Sequence, residues 1–177
     1  MYSIGDLIVY GNTGVCRVSD ITTRDVPGTD KNLLYYVLIP VYQDRCTIYA
    51  PTDVKVFMRP VISKEEAEKL IDMIPSIKVS TYYSCVVRDI EEHYKKSIIS
   101  HDISDLVELT ISIYTKKLEM ARQNRRFGAM DERFMKLAEE LLFGELAVAL
   151  GIAKGDVPDY IAERIGERKE NRNECDP

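Results

Sequence analysis

The hydrophobic period of this chain changes once, at Ser63, and that change limits the folds open to it. Before it, apolar residues gather in short runs: Leu7-Ile8-Val9-Tyr10, Val15-Cys16-Arg17-Val18, Leu34-Tyr35-Tyr36-Val37-Leu38-Ile39, Cys46-Thr47-Ile48-Tyr49-Ala50 and Val54-Lys55-Val56-Phe57. These runs are rich in β-branched and aromatic residues, and the turn formers Gly11-Asn12-Thr13-Gly14, Pro40, Pro51 and Pro60 fall at their junctions. The pattern predicts five short strands in a small, strongly bent antiparallel sheet or barrel. The longest loop between them runs from Thr22 to Lys31 through Pro27-Gly28.

From Ser63 onward the spacing is helical. Ser63-Lys64-Glu65-Glu66 is a capping box, in which the serine hydroxyl satisfies an orphan backbone N–H and Glu66 reaches back, so a helix is expected to about Met73, with Pro75 ending it. A second helix is expected over about Tyr82 to Ile99, carrying Tyr83, Val87, Ile90, Tyr94 and Ile98 on one face. A third should start near Asp102 and follow Ile103, Leu106, Val107, Thr110, Ile113, Tyr114 and Leu118. For a fourth, Asp131 is the expected N-cap, Phe134 to Leu150 the apolar stripe, and Gly151 the C′ residue. A last helix should open near Asp156-Val157-Pro158 and stop by Gly166. Strands followed by helices predict an α+β chain of two modules rather than one interleaved sheet. The expected division is a β domain over 1–61, an all-helical domain of about five helices over 62–166, and a charged tail over 167–177 without order.

Charge divides along the same line. The first 61 residues carry six basic and six acidic side chains, so the whole net charge of −5 belongs to the remainder. That excludes a general polyanion binder and confines any nucleic-acid contact to a local patch. The most positive segment holds Lys116, Lys117, Arg122, Arg125 and Arg126 against Glu119 alone, with Arg88, Lys95 and Lys96 on the preceding predicted helix. Such a patch suits a few phosphates, but a helix C-terminus also attracts cations through its dipole, and the charges alone do not separate the two.

Catalytic patterns are missing. The chain has no glycine-rich phosphate loop, no H-E-x-x-H and no G-x-S-x-G, and its two histidines lie on or beside a predicted helix without a nucleophile. Cys16, Cys46, Cys85 and Cys175 are far apart with no C-x-x-C, which favours structural thiols over zinc or disulfides. No stretch is long and apolar enough to span a bilayer, and a strand pattern stands where a leader would be, so a cytoplasmic protein is expected.

Ile4-Gly5-Asp6-Leu7-Ile8-Val9-Tyr10 followed by Gly14-Val15 resembles the start of the CarD/CdnL family of bacterial transcription regulators. The likeness continues through Pro27-Gly28, Tyr35-Tyr36-Val37-Leu38, Ile48-Tyr49-Ala50-Pro51 and Arg59-Pro60-Val61. In the helical part, Lys95 to Asp102, Leu106 to Leu118, Asp131, Ala138-Glu139-Glu140-Leu141-Leu142 and Glu145-Leu146-Ala147 are similar to clostridial-type members. The resemblance implies a Tudor-like domain that binds the β subunit of RNA polymerase and a helical domain that approaches promoter DNA and tunes the open complex, with no cofactor or metal. It places the polymerase contact at Arg24 and at the strand end Ile48, Tyr49 and Pro51, with Tyr49 standing where the family has arginine. The family's minor-groove tryptophan is absent, since the chain has none, and the register assigns its place to Val87 or to Tyr83. The expected DNA contacts are therefore Tyr83, Val87, Arg88, Lys95, Lys96, Lys116, Lys117, Arg122, Arg125 and Arg126, weak and without sequence preference. The alternative is an adaptor that binds polymerase or another protein and recruits a further partner without touching DNA.

Overall fold

The computed structural model describes residues 1–23, 33–43, 45–53 and 56–173, with side chains in the last helix as far as Gly166. It divides into two compact units, Met1–Val61 and Ile62–Pro177.

The first unit is one antiparallel sheet in the order β4-β3-β2-β1-β5. Its strands are β1 (Leu7–Tyr10), β2 (Gly14–Thr23), β3 (Leu34–Pro40), β4 (Ile48–Pro51) and β5 (Met58–Pro60). A 3-10 turn at Gly11–Thr13 joins β1 to β2, and Gly11 and Gly14 supply the positive φ values, 45° and 84°, that so tight a reversal needs. Ile8 then pairs with Cys16, Val18 with Leu38, and Tyr36 with Ala50, which puts all of them on one face. That face is the core, closed by Tyr2, Tyr10, Ile21, Ile48 and Met58 at its margin. A register shift between Val18 and Asp20 bends β2, and the Ser19 hydroxyl donates to the Val37 carbonyl beside it.

Two expectations change here. Among the described residues β4 and β5 are the two edges of an open sheet, and no pairing closes a barrel. The fifth described strand is Met58–Pro60, just after Val56 and Phe57, because β1 takes Met58, Arg59 and Pro60 as partners of Tyr10, Val9 and Ile8, while Val54 and Lys55 of the expected run lie outside the described residues. Pro60 is tolerated because an edge strand pairs on one side only.

The second unit has five helices: α1 (Lys64–Met73), α2 (Val87–Ile99), α3 (Ile103–Arg122), α4 (Ala129–Leu150) and α5 (Val157–Asn173). The capping box forms as the sequence predicts: the Glu66 amide donates to Ser63 Oγ at 3.2 Å and the Ser63 amide donates to Glu66 Oε2 at 2.8 Å. Asp102 caps α3 by accepting from the Ser104 amide, and Gly151 ends α4 in the left-handed conformation. α2 begins five residues later than its periodicity suggests. The Ser84 hydroxyl accepts from the Val86 amide and donates to Asp89, while the Ser112 hydroxyl donates to the Ser80 carbonyl, so residues before Val86 are held out of the helix by side-chain bonds.

Gly128, not Asp131, is the N-cap of α4. A Cβ at Gly128 would meet Asp131 Oδ2 at 2.8 Å, so glycine is what leaves room for that carboxylate. α5 continues to Asn173, past Gly166 and into the stretch expected to lack order. Its residues there are mostly Glu, Arg and Lys, good helix formers, and Arg164 ties the helix to α1 through two bonds to Asp72 and an ion pair with Glu68. Two apolar clusters fill the unit. One joins Ala67, Leu70 and Ile71 of α1 to Leu142, Leu146 and Leu150 of α4, and the other joins Ile90, Tyr94 and Ile98 of α2 to Ile113 of α3 and Phe134 of α4. No described helix is long and apolar enough to cross a membrane.

Candidate docking and nucleic-acid surfaces

β4 is an edge strand, so one row of its backbone N–H and C=O groups is turned away from β3. Alternation along it sends Ile48 and Ala50 into the core and Tyr49 and Pro51 to the opposite face. Tyr49, 42% exposed, lies across from Val37, and Ile39, 44% exposed, lies further along the same face of β3. Ile39 pairs in turn with the exposed Arg17 of β2. The result is a partly apolar outer face with a cation at its margin, suited to a protein partner. Of the four residues the sequence assigns to polymerase contact, Tyr49 and Pro51 share this face, Ile48 is turned inward, and Arg24 lies outside the described residues. Val37 and Ile39 join the face without any assignment from the sequence, although alternation with the buried Leu38 marks them as outward-facing.

In the helical unit one predicted DNA contact is overturned. Lys116 is 3% exposed, and its Nζ lies 2.8 Å from Asp131 Oδ1 and 3.5 Å from the Tyr94 hydroxyl. Tyr94 donates to the same carboxylate oxygen at 2.7 Å. Burial first, then the hydrogen bond to Asp131, pushes the Tyr94 hydroxyl well above the usual tyrosine range. A side chain so enclosed cannot reach a phosphate; its charge is spent on Asp131. The signal is present in the sequence: Lys116 follows Leu109, Ser112 and Ile113 at seven, four and three residues, which places it on the buried stripe of α3.

Tyr83 closes this cluster from outside. Its ring lies 5.1 Å from Lys116 Nζ, its hydroxyl donates to Glu119 Oε2 at 2.6 Å, and it remains 48% exposed. The hydrogen bond to Glu119 is the main cause raising its hydroxyl pKa. Val87, the first residue of α2, is 57% exposed beside Val86 at 52%, so both residues that could replace the tryptophan reach solvent.

The other predicted cations are exposed and differ in their engagements. Arg88 pairs with Glu92 and Lys95 with Glu91, each one helical turn apart, and Lys117 Nζ lies 5.9 Å from the Phe127 ring. Arg122 ends α3, and Arg125 and Arg126 follow in the turn to α4. Among the described residues no carboxylate pairs with Lys96, Arg122, Arg125 or Arg126. Arg125 and Tyr83 are close enough to interact electrostatically. The structure therefore gathers three arginines at the end of α3 and in the turn after it, with Arg125 near Tyr83, while Lys95 and Lys96 sit two turns into α2.

The described cysteines Cys16, Cys46 and Cys85 are unbonded thiols, and no group of three or more metal-binding side chains occurs among the described residues. Residues 2–62 match the family model of the CarD-like/TRCF RID domain, which covers the first unit from Tyr2 onward.

Proposed function

We propose that this chain, whose first unit belongs to the CarD-like/TRCF RID domain family, is a transcription factor that holds the β subunit of RNA polymerase through that unit and adjusts open-promoter stability through its helical unit. The family match over 2–62 is the observation that carries the reading. The outer face around Tyr49, Val37 and Ile39 and the outer edge of β4 supply a contact surface of the right character. The reading takes the first unit as Tudor-like, with Arg24 part of the contact, and the chain as a cytoplasmic protein that acts by binding, with no cofactor and no catalytic step.

For the helical unit, Arg122, Arg125 and Arg126 with Tyr83 and Val87 are the contacts we assign to promoter DNA. Three or four phosphate contacts on a unit of net negative charge give weak free affinity. Tethering to polymerase raises the local concentration of the patch at the promoter, so a weak contact suffices to bias an equilibrium already near balance. The adaptor alternative is favoured by that same net negative charge, and one experiment separates the two. With the full chain, reversing Arg122, Arg125 and Arg126 to Glu should leave polymerase capture intact and abolish stabilisation of the open complex, while Arg24→Glu or Tyr49→Asp should abolish both. Unchanged promoter melting in the triple variant would leave the adaptor reading standing.

A further inference from the structure

A cleft of about 510 Å³ opens on the helical unit, walled by Ile111 and Tyr114 of α3, Glu139 and Phe143 of α4, and Pro158 and Ile161 of α5. None of the residues assigned to polymerase or DNA lies in it. Its lining is nearly all apolar, and the apolar surface does not stop at its mouth. Ile111, Tyr114 and Leu118 form a stripe at three- and four-residue spacing along α3, with Tyr114 53% and Leu118 43% exposed. From Ile111 to Leu118 that stripe runs about 10 Å at 1.5 Å per residue. This is two turns of helix, the length over which an amphipathic helix sets apolar anchors at i, i+3 or i+4, and i+7 into a groove. A compact small molecule would fill the cleft and leave Tyr114 and Leu118 in water.

The field at the groove is mixed: α5 starts on it with the positive end of its dipole, and the Glu139 carboxylate stands on the α4 wall. On the α4 wall Lys136 is matched by Glu132 and Lys154 by Glu140, which leaves Glu139 with no cationic partner among the described residues. Asp159, next to the lining residue Pro158, lies in the first turn of α5, where the positive end of that helix dipole offsets its charge. α1 ends beside the groove at Ile74 with no basic residue in its last turn, so the negative end of its dipole adds to the field there. Among the described side chains of α5, the cation Arg164 is taken by Asp72 and Glu68. A lone carboxylate in an apolar wall costs least when a partner brings a cation to it.

We infer that this groove is a second docking site, which takes an amphipathic helix of a partner protein with three apolar anchors and a Lys or Arg set against Glu139. It would let the helical unit recruit a protein while the first unit holds its own partner.

The test is a selection of displayed amphipathic helical peptides, with variable charge positions, on the full chain. Selected peptides should carry three apolar anchors and a basic residue, bind several-fold more weakly to Glu139→Lys, and lose binding to Ile161→Asp, with thermal unfolding showing that both variants fold. Glu139→Lys selected in parallel should return acidic residues at the same peptide position. Enrichment that ignores Ile161→Asp, peptides with no charge preference at Glu139, or no enrichment at all would each overturn the inference. Saturable binding of a neutral apolar dye in competition with no peptide would point to a small-molecule pocket instead and overturn it equally.

Discussion

The buried pair at Lys116 and Asp131 gives the sharpest test of the helical unit. Both side chains are almost fully enclosed, 3% and 5% exposed, with Nζ and Oδ1 2.8 Å apart. Removing one member of such a pair strands the other charge in a poor solvent, which costs about 3–5 kcal/mol. In Asp131→Asn the ammonium keeps the Tyr83 and Tyr94 rings at 5.1 and 5.9 Å, and desolvated cation–π contacts return up to about 2 kcal/mol. The expected loss is therefore about 3 kcal/mol. In Lys116→Met the carboxylate keeps the Tyr94 hydroxyl at 2.7 Å and its place in the first turn of α4, where the helix dipole favours an anion, so the loss should be smaller, about 2 kcal/mol. The double variant Lys116→Met, Asp131→Asn removes both charges and still offers Tyr94 an amide oxygen, so its loss should fall short of the sum by about 2 kcal/mol. Urea unfolding followed by far-ultraviolet circular dichroism suits a chain with no tryptophan. Single variants that each cost under about 1 kcal/mol, with additive effects in the double variant, would mean that the two groups are solvated and that Lys116 is free for DNA after all.

His93 stacks on Tyr82 with ring centroids 4.0 Å apart, and desolvation, then Lys96 and Lys116, depress its pKa below the usual 6.5. The unfolded chain then binds the proton more readily, so this contribution is complete above about pH 6.5 and is lost as pH falls below that value; His93→Gln should flatten the acid limb of a stability–pH profile. Burial, and then the neighbouring Cys46, pushes the Cys16 thiol up to about 11, so native chain treated with N-ethylmaleimide at pH 8 should label at the exposed Cys85 and spare Cys16, as mapped by mass spectrometry. Labelling of Cys16 at the rate of Cys85 would contradict its burial.

Features that depend on period and on local bonds are legible in the sequence. The capping box at Ser63, the Asp102 cap, the left-handed Gly151 and the Ile90, Tyr94, Ile98 stripe all follow from residues within a few positions of one another. Misplaced features answer to partners distant in sequence. β5 is fixed by β1 nearly fifty residues earlier, the delayed start of α2 depends in part on Ser112 of α3, and Asp131 is drawn from a capping role by Lys116 and Tyr94. Lys116 itself is misassigned when its charge is weighed before its place on the helix. The docking groove has no sequence signal of its own, since it is assembled from three helices whose individual stripes read as ordinary core.

In the proposed reading, the loss of Lys116 changes how the helical unit would meet nucleic acid. With it, the positive segment is a ridge along the last turns of α3; without it, and with Lys117 leaning over Phe127, the charge contracts to the end of that helix and the turn after it. Glutamates on α2 already hold Arg88 and Lys95, and drawing either cation to a phosphate breaks an ion pair that offsets part of the new attraction. Of the arginines that remain, Arg125 lies near Tyr83, and Tyr83 is positioned by Glu119 and by the ring face it turns to the buried ammonium. The buried pair therefore bears on the proposed DNA contact without being part of it. Lys116 and Asp131 fix the floor on which Tyr83 rests, and that ring inherits its place from two charges that solvent does not reach.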